Sequence, residues 1–504
     1  MSTAPAKLQL VDQYGQPLKA DPKKPAAQPF ARYDAAQTDA TNRKHWLAAD
    51  SLGPVNANSA SVRQLLRDRS RYETANNGYA SGLIEGRAND TIGTGPRLQL
   101  SLPESWTDPD FRTRMASSPT AARDVELLFL NWAEAVGLPD KLWLMDRTES
   151  EAGEVFGVEV TNEELSPDGT APTLDLRLYE PDQCSTPGWN ASDPYSVDGI
   201  VFAKNGKPIE YHFLRFHPGD SLGVNVWGDY DRIPADRVYH LFSQKRPGQA
   251  RGIPAMTAAL PLYAIMRRFT LAALSSAEIA AMIAGVIETD LPADGLGAPT
   301  VESMDEIEFA RNALLTLSAG QKAKAFTAAQ PGPSYREFKS EIHTECGRSV
   351  GAPRNVSTGS SAEYNYSSGR LDHLPYQRGI KIRRDRYRRL VLDRLFRSWV
   401  REAALIPNFL PPDLPPVALW RWRWQWDGFQ SIDPVKDTTA NQIALESGQT
   451  TLERICAENG DDWEEVLEQQ ARELAKRRAL GLPDPAAKPV PATQPAPQGA
   501  PANA

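Results

Sequence analysis

The stretch Glu363-Tyr-Asn-Tyr-Ser-Ser-Gly-Arg370 says most about the fold of this chain. Its Asn, Ser and Gly residues are typical of a solvated loop. Directly after it, arginines alternate with apolar residues at helical spacing as far as Arg397. The pattern therefore predicts a polar loop that leads straight into a long, arginine-rich helix.

Three further segments accompany this loop along the chain. They are Ala75-Asn-Asn-Gly-Tyr-Ala-Ser-Gly82 leading into Ile92-Gly-Thr-Gly-Pro-Arg-Leu98, then Arg246-Pro-Gly-Gln-Ala-Arg-Gly-Ile-Pro254, and finally Asp433-Pro-Val-Lys436 with Thr450-Thr-Leu-Glu453 and Gly460-Asp461. The loop itself matches an "NYSS-small-Arg" signature through Asn365, Tyr366, Ser367, Ser368 and Arg370. Together the four segments resemble the lambda-like family of phage portal proteins, the head-tail connectors, and the resemblance spans about residues 45–480.

The resemblance implies an α+β, mostly helical portal fold with a wing, stem helices and a small inserted clip domain, assembled as a ring. It implies an N-terminal wing at 31–254, stem helices at 255–287 and 333–350, a clip domain at 288–332, a tunnel loop at 351–368, and a C-terminal helix and wing or crown region at 369–481. Residues 1–30 and 482–504 are rich in Pro and Ala. Such segments bury too little apolar surface to fold, so both are predicted to be disordered tails.

The bulk composition is that of a folded chain of 504 residues with 41% hydrophobic residues. The formal net charge is −8, whereas a sequence-independent DNA clamp is usually basic. Three cysteines, an odd number far apart in sequence, indicate neither a disulfide framework nor a CxxC metal site, and they suit a reducing cytoplasm. The first seven residues lack the pattern of a secretion signal, so we expect no export through one.

Periodic segments predict the main elements. Helices are expected at about 59–76, 79–92 and 121–136, and a β-hairpin at 199–214 with a type I′ turn at Asn205-Gly206. A mostly apolar helix is expected at 262–287. Glu278 near the centre of its apolar part argues against a membrane span, which leaves a packed ring of stems or a buried core helix.

Catalytic and metal-binding patterns are missing from the sequence. The turn at Gly93 and Gly95 lacks the third glycine of a dinucleotide fingerprint, and the chain has no Walker A sequence, so ATP hydrolysis is expected to belong to a partner. The six histidines show no ligand spacing. Cys346 with His343 three residues before it is a weak candidate for an enzyme site. We therefore expect no enzyme, no cofactor and no metal.

Two stretches have both a functional and a structural interpretation. The arginine run, with Arg378, Arg383, Arg384 and Arg386, could contact phosphate or a neighbouring subunit, or could form a solvated helix face. Alternation in Trp420-Arg-Trp-Arg-Trp-Gln-Trp426 predicts a strand with four tryptophans on one face. Bases could stack on that face, but burial is expected, because exposed indoles would form an adhesive patch.

The function that the resemblance implies is a ring, of twelve subunits in the family, at one capsid vertex, through which double-stranded DNA is packaged, retained and ejected. The implied DNA-facing residues of the tunnel loop are Asn355, Ser357, Thr358, Ser360, Ser361 and Asn365. The implied partners are terminase, the major capsid protein, a head-tail joining protein and non-specific double-stranded DNA, with no membrane. The implied locations are the virion and, during assembly, the host cytoplasm. A cytoplasmic enzyme and a non-specific DNA-binding module remain the alternatives.

Overall fold

The computed structural model describes residues 49, 51–107, 114–188, 193–220, 229–282, 285–289, 321–325, 334–362, 365–429 and 433–482. The chain divides into two compact units, Met1–Gly53 and Pro54–Ala504. In the first unit the described residues are exposed coil. All helices and strands named below belong to the second unit.

Helices dominate the described part of this unit, and the strands are short. The α-helices are α1 Pro54–Ala57, α2 Ala60–Asn76, α3 Gly78–Ile92, α4 Ala121–Ala135, α5 Leu138–Ala152, α6 Leu260–Met282, α7 Ser334–Arg348, α8 Arg354–Thr358, α9 Tyr366–Tyr387, α10 Asp393–Ala403, α11 Pro434–Glu446, α12 Leu452–Asn459 and α13 Trp463–Ala479. The strands are β1 Arg97–Ser101, β2 Ser105–Thr107, β3 Arg114–Ala116, β4 Glu154–Thr161, β5 Leu174–Tyr179, β6 Ser196–Val197, β7 Ile200–Phe202, β8 Pro208–Leu214, β9 Tyr230–Pro234, β10 Val238–Phe242, β11 Gly285–Thr289, β12 Gln321–Ala325 and β13 Arg421–Gln425. The predicted α+β, mostly helical class is confirmed.

The largest hydrophobic core lies between α4, α5 and the long helix that runs from α9 through a π-helical segment, Arg388–Leu392, into α10. Phe129 packs edge-on against Phe396 and Trp399, with both pairs of ring centroids 5.3 Å apart. This edge-to-face geometry suits the aromatic quadrupoles and adds to the energy of burial. The core therefore fixes the second half of the arginine-rich helix against the N-terminal helices.

The strands form small antiparallel sheets, in the orders β10-β4-β5 and β6-β7-β8-β9 and in the pairs β1-β13, β2-β3 and β11-β12. The predicted hairpin is confirmed as β7 and β8. Its turn is not type I′, because Gly206 has a positive φ of 79° and Asn205 does not. The Gly206 N–H donates to the Ala203 carbonyl at 2.8 Å, and the register shifts between Val201 and Phe202. A type I turn followed by a left-handed glycine accounts for this geometry.

The predicted tryptophan strand is confirmed as β13, which pairs antiparallel with β1. Trp420 and Trp424 are buried, and Trp422 and Trp426 are partly buried against the same core. The indole Nε1 atoms of Trp422 and Trp424 both donate to Asp393 Oδ1, at 3.0 and 2.9 Å. The expected burial is therefore correct, and one carboxylate oxygen satisfies two indoles.

The apolar helix is shorter than the sequence pattern predicted. It ends at Met282, and residues 285–289 form β11, which pairs with β12. Gly285 is a poor helix former, and the β-branched Val286, Ile287 and Thr289 favour a strand. A helix was also predicted over 333–350, and it is observed as α7. Most of the predicted clip domain lies outside the described residues.

Candidate functional site

The predicted tunnel loop, 351–368, is only partly a loop. Residues Arg354–Thr358 form the short helix α8, which ends at Gly359 with a φ of +63°. Residues 360–362 follow without regular structure, and 363 and 364 lie outside the described residues. The helix α9 already begins at Tyr366. Among the described residues of the predicted loop, those outside α8 and α9 are 351–353, 359–362 and 365.

Asn365 and Ser368 begin α9 through a reciprocal pair of hydrogen bonds. The Ser368 N–H donates to Asn365 Oδ1 at 2.9 Å, and the Asn365 N–H donates to Ser368 Oγ at 3.2 Å. Such a capping box satisfies N–H groups that the first turn of a helix otherwise leaves unpaired. The helix cap therefore explains part of the motif. The Asn-x-x-Ser spacing is the feature of the sequence that indicates this cap.

The six residues expected to face DNA lie in different environments. Ser357 is only 4% exposed, and its hydroxyl donates to the Arg354 carbonyl at 3.0 Å. Its burial is explained by Gly347, where a Cβ would approach the Ser357 Cβ to 2.3 Å. Ser357 therefore does not belong to a DNA-facing surface in this structure, which corrects the expectation.

Asn355 and Thr358 are half-buried and already have partners within the chain. The Asn355 amide lies 2.8 Å from His373 Nε2, and the Thr358 hydroxyl donates to the Arg354 carbonyl at 2.7 Å. By contrast, Ser360, Ser361 and Asn365 are exposed. These three side chains are the predicted DNA-facing residues that the structure leaves open to solvent.

The remaining motif residues lie on the first turns of α9. Ser367 is exposed, and the side chain of Tyr366 lies outside the described residues. Arg370 Nη1 lies 3.6 Å from Asp437 Oδ1 on α11. An exposed ion pair of this kind contributes little to stability, but it joins the motif to the C-terminal region.

Two of the arginines expected to contact phosphate or another subunit are instead buried within the chain. Arg383 is 7% exposed; its Nε lies 2.6 Å from Asp146 Oδ1, and its Nη2 contacts Glu149 on the same helix, α5. Arg384 donates to the carbonyls of Asp90, Thr91 and Asp427 at 2.8–2.9 Å. Both guanidinium groups are thus occupied, and the expectation is wrong for them.

The charges around Glu149 show how tightly this buried cluster is coupled. Burial alone would raise the Glu149 pKa, but the cations of Arg383, Arg87 and Arg386 lower it to about 2. Arg386 also donates to Ser243 Oγ at 3.0 Å. The arginine-rich helix is therefore fixed by internal ion pairs, and among the four proposed contact residues Arg378 alone is exposed.

Cys346 and His343 do not have the electrostatics of an activated nucleophile. Both are buried, and the His343 ring stacks on Tyr79 with the centroids 3.8 Å apart. Burial raises the pKa of the Cys346 thiol to about 12, and burial with nearby Lys339 lowers the pKa of His343 to about 4. A catalytic thiolate needs the opposite shift of the cysteine. This geometry counts against the enzyme interpretation.

The segment 246–254 has a structural role that its sequence did not reveal. The Arg251 guanidinium donates from Nε to both oxygens of the buried Glu154, at 2.9 Å each. It also donates to the carbonyls of Pro181 and Cys184, at 3.0 Å each. A Cβ on Gly252 would lie 2.0 Å from the Gly153 carbonyl oxygen, so only glycine fits there. The segment therefore holds the residues that precede α6 against strand β4.

One cluster of potential metal ligands occurs in the described part of the chain, formed by Glu180, Asp182 and His217. Arg71 contacts both carboxylates, with Nη2 2.5 Å from Glu180 Oε2 and 2.7 Å from Asp182 Oδ2. The guanidinium supplies the positive charge that a cation would bring. Within the same described residues, no helix combines the length with the apolar content that a membrane span needs.

Comparison with known proteins gives a consistent set of similarities. Residues 42–384 match the family described as phage portal protein, lambda family. The chain is 24% identical to the probable portal protein of Halomonas phage phiHAP-1, over 90% of this chain and 88% of that protein. It is 23% identical to portal protein B of Escherichia phage lambda, over 82% of this chain and 83% of that protein. In a solved virion of a native gene transfer agent particle, one chain aligns with a TM-score of 0.42 and 16% identity, over 88% of this chain and 99% of that chain.

Proposed function

This chain belongs to the lambda family of phage portal proteins, and from that membership we propose that its copies form a closed ring through which double-stranded DNA is packaged, retained and ejected. The match over residues 42–384 is the observation that carries the proposal, because it includes the helices α2 to α8 and most of α9. The proposed role is structural, and ATP hydrolysis belongs to a partner.

The outer half of α6 supports assembly. Phe269, Leu271 and Leu274 are exposed, together with most residues from Arg268 to Glu278. Phe269 stacks on Tyr335 of α7, with the centroids 5.6 Å apart, so α6 and α7 form a helix pair. A largely apolar helix that is exposed on several sides is stable in water only when other chains cover it. Neighbouring stems in a ring would supply that cover.

The DNA path is proposed to include the segment 359–365. It contains no Lys or Arg, and the polar groups that its described residues expose are the hydroxyl groups of Ser360 and Ser361 and the amide of Asn365. Each cationic phosphate contact would add affinity through counterion release and would slow a moving duplex. Uncharged hydrogen-bonding groups allow DNA to pass without being held.

Family membership also suggests the partners and the location. We infer that the ring has twelve subunits, sits at one capsid vertex of the virion, and contacts terminase, the major capsid protein and a head-tail joining protein. Assembly would take place in the host cytoplasm.

The mass of the purified assembly tests the ring. Twelve copies of 55.5 kDa have a mass of about 666 kDa, which native mass spectrometry distinguishes from other subunit numbers. A chain that stays at 55.5 kDa at all concentrations, or that forms a continuous ladder of masses, would refute the proposal. A closed ring with another subunit number would change only the count.

Charge placed on the segment 359–365 tests the DNA path. We expect the double variant Ser360→Arg, Ser361→Arg to form normal rings but to package DNA more slowly, because the guanidinium groups bind phosphate. The matched control is Ser360→Ala, Ser361→Ala, which should package at the normal rate. Equal packaging rates in phage carrying either pair would remove this segment from the proposed DNA path.

A further inference from the structure

Helix α2 attaches to the rest of the chain through its charged side. Arg63 Nη2 lies 2.7 Å from Asp198 Oδ2, and Arg67 Nη2 lies 3.1 Å from Asp182 Oδ1. At the other end of the helix, Glu73 is buried and accepts from Arg267 of α6 at 2.9 Å. Ion pairs thus hold the inner face of α2, where a surface helix normally places apolar residues.

The outer face of α2 carries the large apolar residues instead. Val62, Leu65 and Tyr72 lie on one side of the helix and are 41%, 49% and 53% exposed. Helical spacing predicted α2 correctly, but these residues are not part of a core in the described part of the chain. We call Val62, Leu65 and Tyr72 the α2 stripe.

A second exposed stripe lies on the first half of α9. Leu371, Leu374 and Ile382 share one face of the helix with Arg378 and are 67%, 51% and 65% exposed. We call these four residues the α9 stripe. The opposite face of α9 is buried, through Tyr376, Ile380, Arg383 and Tyr387.

The two stripes belong to helices that share one neighbour, α3. Helix α3 packs against both α2 and α9, whereas α2 and α9 make no extensive contact with each other in the described residues. The stripes have similar lengths, about 15 Å from Val62 to Tyr72 and about 16.5 Å from Leu371 to Ile382 at 1.5 Å per residue.

The exposed charges of the two surfaces can pair. Asp68 flanks the α2 stripe and Arg378 lies within the α9 stripe, and both side chains are exposed. Asp385, on the same side of α9, already pairs with Arg388 and Arg389, so the charges that two neighbouring copies offer each other are those of Asp68 and Arg378. A head-to-tail ring requires two different, complementary surfaces on every copy.

We propose that the α2 stripe of one subunit packs against the α9 stripe of the next subunit in the ring. The inference rests on the proposed ring and adds the surfaces that form part of its interface. Arg378 then contacts a neighbouring chain, while the buried arginines of α9 hold the helix in place for that contact.

Single charged substitutions test the interface. We expect Leu65→Glu and Ile382→Glu each to convert rings into subunits, because a carboxylate would be buried against apolar side chains. Leu127→Glu is the matched control, since Leu127 on α4 is also 49% exposed but lies outside both stripes. Rings from both stripe variants in the same yield as from the wild type would overturn the inference and leave the proposed function intact. A wild type without rings would instead refute the proposed function.

Mixing the two variants tests which surfaces meet. A Leu65→Glu subunit keeps an intact α9 stripe and an Ile382→Glu subunit keeps an intact α2 stripe, so the mixture should form heterodimers of one of each by native mass spectrometry. Pairing of α2 with α2 would instead make Ile382→Glu assemble normally, which would overturn the inference.

The melting temperature of the dissociated subunit gives a further test. The inference would be overturned if Leu65→Glu lowered this temperature and Leu127→Glu did not, because another segment of the same chain would then cover the α2 stripe.

Discussion

Arg383 anchors the arginine-rich helix to α5 through a buried pair of acids. It neutralises two carboxylates, Asp146 and Glu149, that are themselves buried. We expect Arg383→Ala to lower the free energy of unfolding by about 3–5 kcal/mol, because both acids would lose their partner. In dissociated subunits, where ring contacts do not contribute, Arg378→Ala is the control on the same helix and should change this free energy by less than about 0.5 kcal/mol. Equal urea midpoints for the two variants would contradict the role assigned to Arg383.

His343 gives the structure a dependence on pH. Its pKa is lowered from 6.5 to about 4 in the folded chain, so between these values the unfolded state binds the additional proton. Stability is therefore lost as the pH falls from about 6.5 towards 4, by up to about 3 kcal/mol. We expect His343→Phe, which keeps a ring beside Tyr79, to reduce the difference between urea midpoints at pH 7 and pH 4. An unchanged difference in the variant would show that other groups cause it.

At the scale of elements, the sequence predicted a helix or a strand correctly where that element depends on the spacing of its own residues. The spacing of Val125 and Phe129 predicted α4, and alternation of the tryptophans predicted β13 and its buried face. The arginine run was ambiguous because Arg383 meets Asp146, which lies 237 residues away, and spacing does not reveal a distant partner. The sequence also did not reveal that α2 buries its charged residues and exposes its apolar ones, because the partners of Arg63 and Arg67 are distant in sequence. For the tunnel loop, the sequence showed that Ser357 is polar but not that it is buried.

The start of α9 depends on the side chain of Asn365. We expect Asn365→Ala to destabilise the first turn by about 1 kcal/mol, because the Ser368 N–H loses its acceptor. Asn365→Asp should keep the cap, since a carboxylate oxygen accepts the same hydrogen bond. Hydrogen exchange at the amides of residues 366–369 measures the effect directly. Equal exchange rates in the two variants would contradict the capping role.

At the scale of the whole molecule, one subunit exposes apolar surface that an assembly of copies would cover. The apolar outer half of α6 and the two exposed stripes lie outside the hydrophobic cores of the described chain. The net charge is −8, and Arg383 and Arg384 are paired within the chain and so are not available to grip DNA. A ring accounts for both observations. In it, neighbouring copies cover the apolar surfaces, and the wall of the opening interacts only weakly with DNA.

Electron cryomicroscopy of the purified, assembled protein shows whether the copies close into a ring. We expect closed rings of identical subunits around a central opening wide enough for a B-form duplex, with the segment 359–365 at its wall. Open filaments, single subunits, or rings whose centre is filled by a fixed core too narrow for duplex DNA would contradict it.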